Sequence, residues 1–255
     1  MKRYLLFALS LIFLSLLSGK GFAERPFFET ESAIPTPKGT YRLEGGLGFS
    51  RLNADQNETV LQADLRYGLI QNLEFDLEIP YLFVDTEEGS QNRLGDMRLN
   101  TKIRFLKGRA ANPLSISGQM VIKFPTAGRK NTLNTTGVVD VGFRAIASKA
   151  FTPLIAHINL GYFFIGNPAG EDLPDQIHYA LGLEHETVGT ALKTFGEIFG
   201  RSNVESAESN NLITIAGGFS FQTIEDLIFD ISTGFGLTND SPDYVIQGGA
   251  TFYYK

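Results

Sequence analysis

Three carboxylates, Glu74, Asp76 and Glu78, recur at every second residue, and further along the chain Arg98, Lys102 and Arg104 fall on one parity with Asp96 and Asn100. On a pleated strand, residues two apart share a face, so each set becomes a row on one side of its strand. If the strands are neighbours, carboxylates stand opposite guanidinium and ammonium groups. Asp64 and Arg66 on the preceding segment extend the rows. Two readings stay open. The rows form the transverse field of a constriction that orients a polar solute, as charged rings do in selective pores, or they neutralise one another as a salt-bridged plug in a narrow lumen.

His157, His178 and His185 are the only histidines. A Ser-His hydrolase needs its nucleophile and imidazole within about 3 Å. His185 and Ser202 are the nearest such pair in neighbouring segments, but His185 sits beside the turn at Val188 and Ser202 belongs at the far end of its strand. A membrane-embedded lipid hydrolase is therefore the minor alternative and the chain is read as a non-enzyme. The imidazoles are read as polar packing, with His157 and Asn159, and His178 and Glu184, facing a lumen. Scattered histidines without any cysteine make no metal site, and nothing calls for a cofactor.

The elements that hold these rows must be strands. In Leu73-Glu74-Phe75-Asp76-Leu77-Glu78-Ile79 the odd positions are apolar and the even ones acidic, and the apolar parity runs on to Tyr81 and Phe83. Met97, Leu99, Ile103 and Phe105 repeat it on the next segment. Alternation recurs near 40–50, 58–68, 114–124, 138–148, 154–164, 177–187, 192–201, 211–221, 227–237 and 244–254. The total is about twelve strands of about ten residues, the length of a tilted transmembrane strand, and an even number suits a single-chain outer-membrane barrel. Tight joins (68–72, 151–153, 188–191, 223–226) alternate with longer polar ones (85–93, 126–136, 167–175, 203–210), as periplasmic turns alternate with external loops. A soluble β-sandwich shows the same periodicity, but it requires a dry inner face. The expected fold is all-β, an antiparallel up-and-down transmembrane β-barrel over residues 39–255.

Composition agrees with that architecture. The 255 residues include 27 glycines, 21 phenylalanines, 9 tyrosines and neither Cys nor Trp, which excludes a disulfide scaffold and a cysteine nucleophile. Near-neutral mean hydropathy argues against a helical bundle but not against a barrel, where lipid-facing and lumen-facing residues alternate. Lys2 and Arg3 precede an apolar run from Tyr4 to Leu17, and Gly21 and Ala23 supply the small residues of a cleavage site. Residues 1–23 are read as a signal peptide. An uncleaved anchor is the alternative, but the run falls short of a full span. Cleavage removes Lys2, Arg3 and Lys20 and no acid, taking the formal charge from −6 to −9. An acidic exported chain without a basic cluster excludes nucleic-acid binding. Residues 24–38, with Pro35 and Pro37, are expected to form an extended periplasmic lead-in. Acidic loop residues such as Asp85, Glu87, Glu171, Asp172, Asp240 and Asp243 read as solvated, with divalent-cation bridging to lipopolysaccharide as the alternative. Strand-end aromatics (Tyr67, Tyr81, Phe83, Phe105, Phe124, Tyr254) suit interfacial girdles.

Several stretches resemble the outer-membrane β-barrel family described as transporters of the phenol-degradation meta-pathway. They are Glu29-Thr30-Glu31, Pro37-Lys38-Gly39, Leu65-Arg66-Tyr67-Gly68-Leu69, Leu73-Glu74-Phe75, Ile79-Pro80-Tyr81, Leu94-Gly95-Asp96-Met97, Lys123-Phe124-Pro125-Thr126 and Gly236-Leu237-Thr238-Asn239-Asp240-Ser241-Pro242-Asp243, in that order. The resemblance implies an outer-membrane barrel and passive uptake of small aromatic or apolar molecules. Its implied surroundings are outer-membrane lipid, lipopolysaccharide and the barrel-assembly machinery. The chain departs from the usual aromatic last residue by ending Phe252-Tyr253-Tyr254-Lys255. The processing site is directly testable: the intact mass of outer-membrane protein should correspond to a chain starting at Glu24, and retention of Tyr4 to Leu17 would contradict the signal-peptide reading.

Overall fold

The computed structural model describes residues 28–54, 56–87, 89–128, 135–187, 191–204 and 211–255. The expected signal peptide and its cleavage site lie outside the described residues, as do Val188 and three further acids of the expected loops, Glu88, Glu205 and Glu208. The strands are β1 (Tyr41–Asn53), β2 (Gln56–Ile70), β3 (Leu73–Thr86), β4 (Gly89–Leu94), β5 (Met97–Leu106), β6 (Leu114–Phe124), β7 (Asp140–Phe151), β8 (Leu154–Phe164), β9 (Gln176–Glu186), β10 (Leu192–Asn203), β11 (Asn211–Ile224), β12 (Leu227–Gly236) and β13 (Tyr244–Tyr254).

Successive strands pair antiparallel, and β13 returns to β1 with Tyr254 opposite Tyr41. The ring therefore closes, and no strand of the wall is left as an open edge of the kind that templates aggregation. It counts twelve strands, because β4 and β5 share one partner. β3 pairs with β5 over Leu73 to Glu78 and with β4 over Tyr81 to Thr86. The stretch 85–93, expected as a loop, is thus largely a hairpin, its turn made possible by Gly89 at a φ of 131° that disfavours other residues. Two further connections depart from the expected alternation. β1 and β2 join tightly at the long-loop end, and residues 107–113 make a longer connection at the short-turn end.

Side-chain parity decides what faces where. On β3, Glu74 and Asp76 are 1% exposed while Phe75 between them is exposed; on β12, Asp230 and Ser232 are buried while Phe229 and Ile231 point out. Leu47, Leu61, Ile103, Phe143, Leu160, Leu181, Ile215 and Phe235 carry the same outward apolar face around the ring. This is the inside-out partition of a membrane barrel, whose polar residues line the interior. The hidden face of β3 is therefore acidic for the reason its sequence suggested.

The segment before β1 departs from expectation. Instead of an extended periplasmic lead-in, Phe28 to Thr36 lies inside the barrel, hydrogen-bonded to inward-facing side chains of β3, β6, β7, β8 and β10. A ring of this size encloses more space than wall side chains fill on their own, and buried polar atoms need partners. An extended segment brings a row of unpaired backbone N–H and C=O groups to meet them. The chain leaves the lumen at the short-turn end, where Gly39 N–H donates to the Gly68 carbonyl at 2.7 Å. A Cβ on Gly68 would lie 2.2 Å from the Pro37 carbonyl oxygen, so the crossing needs glycine there.

The outward face generates a test. Phe75→Arg or Ile231→Arg should impair assembly, since an arginine near the bilayer midplane costs about 2–4 kcal/mol, whereas Ser232→Ala on the inner face should not. Heat-modifiable gel mobility of outer-membrane fractions measures this, and equal tolerance of all three would contradict the lipid-facing assignment.

Candidate functional site

The lumen holds a charge cluster at the level of β1, β2, β3 and β5. Register brings its members together: Glu44 stands opposite Asp64, Arg66 opposite Asp76, Glu74 opposite Lys102, and Glu78 opposite Arg98. Arg66 is the hub. It lies 3.8 Å from Glu44, 3.7 Å from Glu74 and 3.6 Å from Asp76. Lys102, 1% exposed, lies 3.3 Å from Glu74. Asn100 donates to Asp76 at 2.9 Å and to Glu78 at 2.5 Å.

The central anion of the cluster comes from the inserted segment. The Glu31 carboxylate accepts two parallel hydrogen bonds from Arg66, at 3.0 and 3.1 Å, and one from Lys102 at 2.7 Å. Charge-assisted bonds of this fork geometry are about twice as strong as neutral ones.

Along its length the segment is pinned by further polar contacts. Glu197 on β10 accepts from the Phe28 N–H, from the Thr30 N–H at 3.1 Å and from the Thr30 hydroxyl at 2.8 Å. Asn159 on β8 accepts from Glu31 N–H at 2.6 Å and donates to the Glu31 carbonyl at 2.9 Å. Ser148 accepts from Ala33 N–H at 2.8 Å, Ser117 donates to the Ala33 carbonyl at 2.6 Å, and Glu74 accepts from Thr36 N–H at 2.6 Å. Apolar contact is added at the outer end, where Phe28 stacks on Phe199 at 6.1 Å, and deeper in by the fully buried Ala33.

The residues singled out in the sequence divide by position. Asp64, Arg66, Glu74, Asp76 and Lys102 are buried in the cluster. Glu78 and Arg98 pair at 3.3 Å where the lumen widens toward the long loops, with Arg98 half-exposed. Arg104 does not join them. It turns to the short-turn end and donates to the Gln71 carbonyl at 3.1 Å and to Asn72 at 3.0 Å. His185 stands opposite Thr194, eight residues along β10 from Ser202, so that pair cannot meet. His178 stacks on Phe163 and contacts Gln176.

Sequence reasoning missed Glu31, Glu197 and a buried Ser-His-Glu chain. Ser148 Oγ lies 2.8 Å from His157 Nδ1, and His157 Nε2 lies 3.4 Å from Glu184. The spacing matches that of a nucleophile, base and orienting acid, but Ser148 Oγ also holds Ala33 N–H, so the chain of contacts works as an anchor for the segment. A signal was present in the inward parity of Ser148, His157 and Glu184. It became readable only once β7, β8 and β9 were known to be in register.

Toward the long loops the segment leaves a cavity of about 470 Å³. Its floor is Phe28 to Ser32, and its walls include Arg98, Lys123, Arg144, Phe163, His178 and Arg201. On one rim Lys123 binds Asp140 at 2.5 Å and Asp96 at 3.4 Å, and Asp96 accepts from the Thr135 hydroxyl and the Ala127 N–H.

Comparison with known proteins fits this description. None of the curated proteins matches the chain in sequence. Among solved structures it is similar to the KdgM porin, at 8% identity and a TM-score of 0.56, covering 84% of this chain and 99% of that one. It is also similar to the CymD monoaromatic hydrocarbon channel, at 9% identity and a TM-score of 0.49, covering 86% and 89%. A third is the translocator domain of the autotransporter NalP from Neisseria meningitidis, at 8% identity and a TM-score of 0.48, covering 84% and 86%. The likeness to KdgM supports the barrel fold. The family model described as "Putative MetA-pathway of phenol degradation" matches residues 24–255, from the inserted segment to the last strand, and the chain belongs to that family.

Proposed function

We propose that this protein is an outer-membrane channel for passive uptake of small molecules, closed by residues 28–38 and opened when that segment leaves the lumen. The observation that carries the reading is how the segment is held. Its contacts with the wall are mostly hydrogen bonds and ion pairs at 2.6 to 3.1 Å, to Glu197, Asn159, Ser148, Ser117, Glu74, Arg66 and Lys102. Water can replace such contacts, at a net cost of about 0.5–1.5 kcal/mol for each neutral one and about 1.5–3 kcal/mol for each one to a charged group. The wall itself, closed by the β1–β13 pairing, does not need the segment to complete its ladder.

The same reading assigns the charged rows their part. With the segment withdrawn, Glu74, Asp76, Arg66 and Lys102 border a wet path and set its ion preference. The names of the family and of the CymD neighbour support small, aromatic or apolar solutes, and the outward apolar face supports a setting of outer-membrane lipid, with lipopolysaccharide at the loop end and assembly by the barrel machinery. A barrel permanently shut by the segment is the competing reading from the non-transport class.

Planar-bilayer recording separates them. Wild-type protein should show rare, short openings, and Glu31→Gln should open more often, because the fork with Arg66 is lost while Arg66 keeps Glu44, Glu74 and Asp76. A variant lacking residues 28–36 should conduct steadily. Absence of conductance in all three, in protein that remains heat-modifiable, would overturn the channel reading.

A further inference from the structure

The cavity above the inserted segment has a chemistry of its own. In register, Arg144 of β7, Gly161 of β8, His178 of β9 and Arg201 of β10 stand side by side at one level of the wall. Gly161 contributes no side chain, and the Phe163 ring fills the space. A Cβ on Gly142 would meet that ring at 2.3 Å, so the ring lies flat against the wall. His178 stacks on it at 4.0 Å with an interplanar angle of 25°, and the Arg144 guanidinium sits 5.9 Å from its centre. The wall therefore presents an aromatic platform flanked by two guanidinium groups.

The occupant of that site is in part already present. Glu29 of the inserted segment lies 3.7 Å from Arg144, with its side chain 46% exposed. Its neighbour Phe28 lines the same cavity, with its ring on Phe199 rather than on the Phe163–His178 platform. The segment thus offers a ring and a carboxylate side by side, and the Glu29 contact is a long, solvated pair of the kind worth little. Arg201 is exposed, and among the described residues no acid pairs with it. Its planar guanidinium has the geometry to form a fork with a carboxylate.

We propose that this cavity binds a small aromatic monocarboxylate, its ring on the Phe163–His178 platform and its carboxylate replacing Glu29 at Arg144, with Arg201 as second cation. The proposal rests on the channel reading and names the solute class. Binding there releases Glu29 from Arg144, so an arriving solute removes one contact of the closure it must pass, while Glu197 and the Glu31 fork keep the segment seated. A cavity of about 470 Å³ accommodates a single-ring acid together with water.

The test uses phenylacetate, its neutral analogue phenylacetamide and the non-aromatic cyclohexylacetate, titrated at low salt into full-length mature protein in detergent and followed calorimetrically. Phenylacetate should bind at least about tenfold more tightly than either analogue, as charge-assisted and stacking contacts each favour it. Arg144→Gln and Arg201→Gln should abolish the preference for the acid. Glu29→Gln, which leaves the wall intact, should strengthen phenylacetate binding several-fold, because the competing carboxylate is gone. Equal affinity for acid and amide would overturn the proposal, and so would a Glu29→Gln variant that binds no better than wild type. Conductance of the variant lacking residues 28–36 keeps the two ideas apart. Steady conductance without saturable acid binding defeats the site and leaves the channel, whereas saturable acid binding without conductance supports the site and defeats the channel.

Discussion

A cation buried in a narrow lumen has to be met by an anion, and here the closest anion to Arg66 and Lys102 comes from a segment that is not part of the wall. Wall carboxylates surround Arg66 at 3.6 to 3.8 Å, longer than a charge-assisted hydrogen bond, whereas Glu31 engages it in a fork at 3.0 and 3.1 Å. Removing one member of a fully buried pair costs about 3–5 kcal/mol. The surrounding wall acids reduce that cost by retaining partial compensation. The cluster is therefore arranged to hold the segment firmly without collapsing when the segment is absent.

The rest of the lumen follows from the same constraint. Backbone N–H groups of Thr30, Glu31, Ala33 and Thr36 all find side-chain acceptors on the wall, and the acceptors lie on strands spread around the ring. Apolar contact is added at the outer end, where Phe28 packs against the cluster of Ala180, Phe199 and Ala216, and deeper in by the fully buried Ala33. A closure built in this way is specific in register and rests largely on polar contacts that water can replace. That combination suits a reversible gate better than an apolar plug, which would sacrifice its burial energy on release.

Much of the wall was legible in the sequence because period-two alternation is strict where one face meets lipid. The strand from Leu73 and the strand from Met97 showed their inward residues outright, and every expected strand has its counterpart in the ring. β4 was not legible, since Gly89-Ser90-Gln91-Asn92-Arg93 is polar throughout and reads as loop; it is a strand only because β3 extends far enough to pair with it. The inserted segment was not legible either. Thr30-Glu31-Ser32-Ala33 carries no period, and prolines at 35 and 37 fix an extended backbone without saying whether it lies outside the barrel or in it. Arg104 shares the parity of Lys102 but sits one pair nearer the turn, where the Gln71 and Asn72 oxygens compete for it. Parity assigns a face, and depth along the strand decides whether that face is lumen or rim.

The central claim is that the segment moves, and a tether tests it most directly. The chain has no native cysteine, so Ala33→Cys with Ser148→Cys creates a single pair where a 2.8 Å contact now joins segment and wall. Single-channel recording of the oxidised and then reduced protein is the measurement. The account expects the oxidised form to be silent and openings to appear on adding reductant. Equal conductance in both states, with the disulfide confirmed by mass, would show that the path does not run where residues 28–38 lie.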